Sequence, residues 1–91
     1  MFDVLHVVVS GRVQGVGFRY AARVEAVGLG LTGWIRSRAD GSVEARFEGA
    51  RNPLEQILAW CRQGPAWASV TGVVHEWSHA ENKHETFEIR R

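Results

Sequence analysis

Ser10-Gly11-Arg12-Val13-Gln14-Gly15-Val16-Gly17-Phe18-Arg19 is the stretch from which the fold can be worked out. An apolar run, Val4 to Val9, enters it, and a run with helical spacing, Phe18 to Val27, leaves it. The join is a strand-to-helix turn. Gly11, Gly15 and Gly17 permit a sharp backbone path and let a ligand approach the N–H groups closely. The N–H groups of a first helical turn lack intrahelical partners and favour an anion. Arg19, in or beside that turn, adds a fixed charge on a planar fork suited to two phosphate oxygens. A cation at this end of a helix opposes the dipole, so a bound anion would reconcile the two. Spacing alone equally suits an ordinary glycine-rich turn with a surface arginine, because short motifs have many chance matches.

Outward from the turn, Val4 to Val9 is nearly all apolar and predicts a central strand buried on two sides. Phe18, Ala22, Ala26 and Leu29 give the following helix one apolar face, with Gly28 as its stop and Gly30 as a second break. Leu31 to Ser37 and Ser42 to Glu48 read as a hairpin around Asp40-Gly41. The second of these strands puts Val43, Ala45 and Phe47 on a buried face and Glu44, Arg46 and Glu48 on a wet one. Asn52 and Pro53 suit the N-cap and first position of a second helix, whose stripe is Leu54, Ile57, Leu58 and Cys61. Gly64-Pro65 ends it. Val70 to Trp77 predicts a strand with a bulge near Gly72, Ser78 to Glu85 a loop, and Thr86 to Arg90 a short last strand.

Two helices cover one face of a sheet. The expected fold class is therefore α+β, a two-layer ferredoxin-like βαββαβ sandwich with a short fifth strand and a mainly antiparallel sheet. The chain has 91 residues, enough for one domain with one modest core. Its net charge of +1 gives no field for nucleic acid or an anionic membrane. The one cysteine excludes an internal disulfide and fits a reducing cytoplasm. No basic leader or membrane-length apolar run is present in the sequence.

Other chemistries find less support. No Lys-Ser/Thr follows the last glycine as in a Walker loop, and the spacing is not G-x-G-x-x-G. His75 and His79 would share a helix face, but their segment reads as strand end and loop, so no metal site is expected. Cys61 lies on an apolar stripe and reads as a structural thiol. Trp34, Trp60, Trp67 and Trp77 invite a base-stacking role on a fold shared with RNA-recognition domains. The aromatic motif of those domains is missing from the third strand, so packing is the default for each tryptophan. Glu44, Glu48, Glu85 and Glu88 read as a solvated face.

Gly11 to Arg19, together with Gly33-Trp34-Ile35-Arg36-Ser37 and Asp40-Gly41-Ser42-Val43-Glu44, resembles the acylphosphatase family over nearly the whole chain. The resemblance implies a single acylphosphatase-like domain over residues 1–91. It implies a cytoplasmic hydrolase that cleaves carboxyl-phosphate anhydrides with no metal or cofactor. The partner is a small-molecule acyl phosphate or inorganic phosphate, not nucleic acid or membrane, and the size suits a monomer. The family's phosphoryl-binding arginine matches Arg19, with the loop amides of Gly15, Val16, Gly17 and Phe18. Its water-positioning asparagine matches Ser37, which is a departure. The family often ends in tyrosine where this chain has Ile89-Arg90-Arg91.

Such a site needs few groups. The carboxylate leaving group is a weak base and needs no general acid, and the loose phosphoryl transition state rewards positioning and electrostatics. What remains is to orient one water. Serine reaches less far than asparagine and rotates freely, so weakened turnover is implied. A non-catalytic phosphate-binding or interaction module on the same fold is the alternative.

Overall fold

The computed structural model describes residues 2–90; Arg91, at the end of the last stretch quoted above, lies outside them. Its elements are β1 (Phe2–Arg12), α1 (Phe18–Gly28), β2 (Thr32–Ser37), β3 (Val43–Gly49), α2 (Arg51–Gln63), β4 (Ser69–Ala80) and β5 (Phe87–Arg90). The strands form one sheet in the order β4-β1-β3-β2-β5. All neighbours are antiparallel except β2 and β5, which run parallel. Both helices pack on one face. Leu5, Val7 and Val9 of β1 meet Phe18, Ala22 and Ala26 of α1 and Leu54, Ile57 and Leu58 of α2 in one buried cluster. The expected two-layer sandwich is therefore the one observed.

Several boundaries differ from those read in the sequence, each for a local reason. The α1 helix includes Gly28, and Gly30 does the stopping. Gly30 has φ +73°, its N–H donates to the Val27 carbonyl, and the Leu31 N–H reaches back to Ala26 at 2.9 Å. This is a Schellman closure, which favours glycine at its left-handed position. The α2 helix starts two residues earlier than expected, capped by Ala50 with no side-chain bond. Pro53 then falls within the first turn, where an N–H has no intrahelical partner to lose. The β4 strand runs on to Ala80 because it pairs with β1 along its length, as far as Phe2 opposite Ala80. The bulge stands where the sequence puts it. Ser10 pairs with Gly72 and Gly11 with Val70, leaving Thr71 as the extra residue.

The face of the sheet turned from the helices is not simply wet. Glu48 has no exposed surface, which corrects its assignment to a solvated face. It accepts bonds from Arg46 Nε (2.6 Å), Thr32 Oγ1 (3.2 Å) and the His84 N–H (2.7 Å). Glu44 lies between His6 Nε2 (2.6 Å) and Arg36 Nε (2.8 Å). Alternation in β3 correctly sorts residues by face, but it carries no information on which long side chains from other strands cover that face.

Tryptophan packing is as expected at three positions. Trp60 lies against Phe18, Trp77 beneath Arg51, and Trp34 near Arg36 and Arg90. Trp67 is 79% exposed and departs from that expectation. Among the described residues, no helix is long and apolar enough to cross a membrane.

Candidate active site

The first glycine of the motif belongs to the fold and not to the turn. Gly11 lies in β1 with φ +116°, and a Cβ there would overlap the Ser69 carbonyl oxygen across the bulge. The turn proper is Val13 to Gly17, between β1 and α1. Val13 and Phe18 are both buried and anchor its two ends in the core, and the Val16 side chain packs against the same cluster.

Between these anchors the backbone alternates. Gly15 has φ +73° and Gly17 φ +78°, while Val16 between them has negative φ. A Cβ on either glycine would meet no atom within 4 Å, so conformation and not crowding demands glycine here. Where left-handed residues alternate with right-handed ones, successive N–H groups can turn toward one concavity and bind an anion. Gly17 is also the N-cap of α1, without a side-chain cap and with no acidic residue in the first turn. Among the described residues, no acceptor is bonded to the N–H groups of Gly15 through Tyr20. Six donors thus stand unpartnered at a helix N-terminus.

Arg19 completes the depression. Val13, Gln14, Gly15, Gly17, Phe18, Arg19 and Tyr20 line a pocket of about 170 Å³. Arg19 is partly exposed, and its Nη1 donates a long bond of 3.4 Å to the Arg90 carbonyl at the end of β5. Among the described residues, no carboxylate oxygen lies within 4.0 Å of its guanidinium. Among the described residues neither the charge of this cation nor the helix dipole beside it is answered, an arrangement suited to an anion.

Ser37 is the last residue of β2, half-buried and paired with Val43 of β3. It shares the helix-facing side of the strand with the buried Ile35. Its hydroxyl has no hydrogen-bond partner among the described residues. It does not line the Arg19 pocket itself. Arg36 points to the opposite face, onto Glu44, and Arg38 lies 3.9 Å from Asp40. The structure thus gathers Gly15, Gly17, Phe18 and Arg19 around one pocket, leaves Val16 out of its lining with its side chain against the core, and sets Ser37 on the neighbouring hairpin.

The hairpin after Ser37 is tightly closed. The Arg38 N–H donates to the Ser42 carbonyl at 2.8 Å, and the Gly41 N–H donates to the Arg38 carbonyl at 3.2 Å. Asp40 Oδ1 accepts the Ser42 N–H (3.0 Å) and hydroxyl (2.6 Å). These bonds from Ser42 hold the Asp40 carboxyl below its ordinary pKa. Sequence reasoning missed what joins this hairpin to the loop. Gln14 Nε2 donates to the Arg38 carbonyl (2.8 Å) and to the Ser42 carbonyl (3.0 Å). A polar side chain of that length inside the motif was the available signal. The Arg90 carbonyl beside Arg19 had no signal, because it depends on the parallel seat of β5 next to β2.

His75 and His79 both lie in β4, and His79 Nε2 is 3.1 Å from Asp3. Cys61 is buried on α2, away from the pocket.

Comparisons with known proteins bear on the family and the fold. The family model described as Acylphosphatase matches residues 5–89. An acylphosphatase of Pelotomaculum thermopropionicum is 51% identical over 84 residues, spanning 92% of this chain and 91% of the relative. One from Trichormus variabilis is 51% identical over 96% of this chain and 85% of its own. The crystal structure of acylphosphatase from Bacillus subtilis superposes with a TM-score of 0.94 at 36% identity, covering 98% of this chain and 99% of that one.

Proposed function

The chain belongs to the acylphosphatase family and hydrolyses acyl phosphates to carboxylate and inorganic phosphate; on that premise we propose which of its residues do the work. Arg19 and the N–H groups of Gly15, Val16, Gly17 and Phe18 hold the phosphoryl group, and Ser37 orients the attacking water. The observation that carries this reading is a small pocket at which, among the described residues, the loop amides have no acceptor and the Arg19 guanidinium has no carboxylate partner.

The reaction proceeds in line. The water oxygen forms a bond to phosphorus as the bridging P–O bond breaks. The electron pair of that bond leaves with the carboxylate, and the proton of the water passes to the phosphate or to solvent. Charge spreads over the phosphoryl oxygens in a loose transition state. Arg19 and preorganised amides answer that charge without a large reorganisation of the site. Ser37, whose hydroxyl has no other partner, accepts a hydrogen bond from the water or from a second bridging water. The relatives at about half identity favour turnover over a non-catalytic module. We place the protein in the cytoplasm as a monomeric, single-domain enzyme for small-molecule acyl phosphates. Its single buried thiol and net charge of +1 support that setting.

The test is the kcat for acetyl phosphate in Ser37 variants. Ser37→Asn is expected to raise kcat and Ser37→Ala to lower it, each by about tenfold or more. A Ser37→Ala enzyme equal to wild type removes the serine from the reaction.

A further inference from the structure

We propose that Gln14 is a positioning residue that holds the phosphate loop and the Ser37 hairpin in register for the attack. The inference rests on the reading of Ser37 given above. Both partners of the Gln14 amide are carbonyl oxygens, so its nitrogen must face them, and both of its N–H bonds are used. Each carbonyl already accepts one bond from within the hairpin. Gln14 therefore takes the second lone pair of each, and the hairpin is clamped from outside its own strand pair.

Position makes this clamp specific. Gln14 lies between the buried Val13 and the left-handed Gly15, where the glycine turn begins. Arg38 immediately follows Ser37, and Ser42 precedes Val43, its partner across the hairpin. Among the described residues, no other side-chain hydrogen bond joins residues 13–17 to residues 38–42. One amide thus sets the separation between the phosphorus held by the loop and the water held by Ser37. Phosphate binding needs only Arg19 and the loop amides. In-line attack also needs that separation, and misplacement by about 1 Å can cost about 100-fold in rate.

The experiment uses Gln14→Met, of equal length without donors, and Gln14→Glu, which sets acceptors against the two carbonyls. The kcat and KM for acetyl phosphate and the inhibition constant of inorganic phosphate are measured in the wild-type, Ser37→Ala and Ser37→Asn backgrounds. Both variants are expected to lose about tenfold or more in kcat, with KM and the phosphate constant within about threefold. The gain from Ser37→Asn is expected to shrink when Gln14 is replaced, because coupled residues are not additive. An unchanged kcat overturns the proposal. So does a parallel loss of kcat and phosphate affinity, which would make Gln14 a prop for the loop alone. If Ser37→Ala lowers turnover while the Gln14 variants do not, the Gln14 proposal alone fails. If Ser37→Ala matches wild type, the Ser37 reading fails and takes the proposal with it.

Discussion

His84 Nδ1 stands 2.9 Å from Oε2 of Glu48, a carboxylate with no exposed surface. A carboxylate only accepts, so the ring nitrogen donates. The His84 N–H binds the other oxygen of the same group. Through this pair of bonds the loop between β4 and β5 is fastened to β3, next to the strand that seats β5.

Removing that anchor costs stability. Glu48→Ala is expected to lower unfolding stability by about 2–3 kcal/mol, since it strands Arg46, Thr32 and a backbone N–H. For a domain of this size that is a fall in Tm of roughly 8–24 °C. Glu48→Gln keeps one acceptor and is expected to fall between. Thermal unfolding followed by circular dichroism checks both, and a Glu48→Ala midpoint equal to wild type would count against the anchor.

The same carboxylate sets an acid limit. Burial opposes its charge most strongly, yet bonds from Arg46 and His84 outweigh burial and hold its pKa below the ordinary carboxylate value. Glu44 is lowered likewise, against burial, by His6 and Arg36. A lowered folded pKa gives stability that is full above the unfolded value, about 4.5, and is lost as pH falls through the folded one. Denaturant midpoints are therefore expected to decline below about pH 4.5, and this decline is expected to be shallower in Glu48→Gln. Equal acid sensitivity in the two proteins would contradict the assignment.

Two glycines predict opposite outcomes. Gly33 has φ +132°, and a Cβ there would run into the Arg46 carbonyl, so Gly33→Ala is expected to destabilise by more than about 2 kcal/mol. Gly28 is helical with nothing near its missing Cβ, so Gly28→Ala is expected to gain about 0.5 kcal/mol. Urea unfolding of both variants is the check.

Burial pushes the Cys61 thiol up to about 12. The thiolate is the reactive form, so alkylation of the native protein at pH 8 is expected to be slow and to become fast in denaturant. Equal rates would place the thiol at the surface.

The sheet, its two helices and the bulge near Gly72 were legible in the sequence because periodicity and glycine chemistry are local. That Arg19 would stand beside the Gly15–Phe18 turn at the head of a helix was legible for the same reason. Glu48 was not, because Thr32 and His84 come from other parts of the chain and join Arg46 of its own strand face over it, and alternation says nothing of them. Gly11 was misread as part of the ligand turn. Its constraint is the Ser69 carbonyl on β4, a contact set by the strand order. Gln14 was passed over because its polar side chain was the one signal, and its two acceptors are backbone groups that leave no partner pattern in the sequence.

Hydrolysis of acetyl phosphate by Arg19→Ala beside wild type tests the central claim most directly. The side chain makes only a long bond to the Arg90 carbonyl among the described residues, so its loss is expected to change stability by no more than about 0.5 kcal/mol. The account predicts a well-folded protein whose kcat/KM falls by about 100- to 1,000-fold or more, with inhibition by inorganic phosphate weakened alongside. A folded Arg19→Ala protein that turns over acetyl phosphate at the wild-type rate would contradict it.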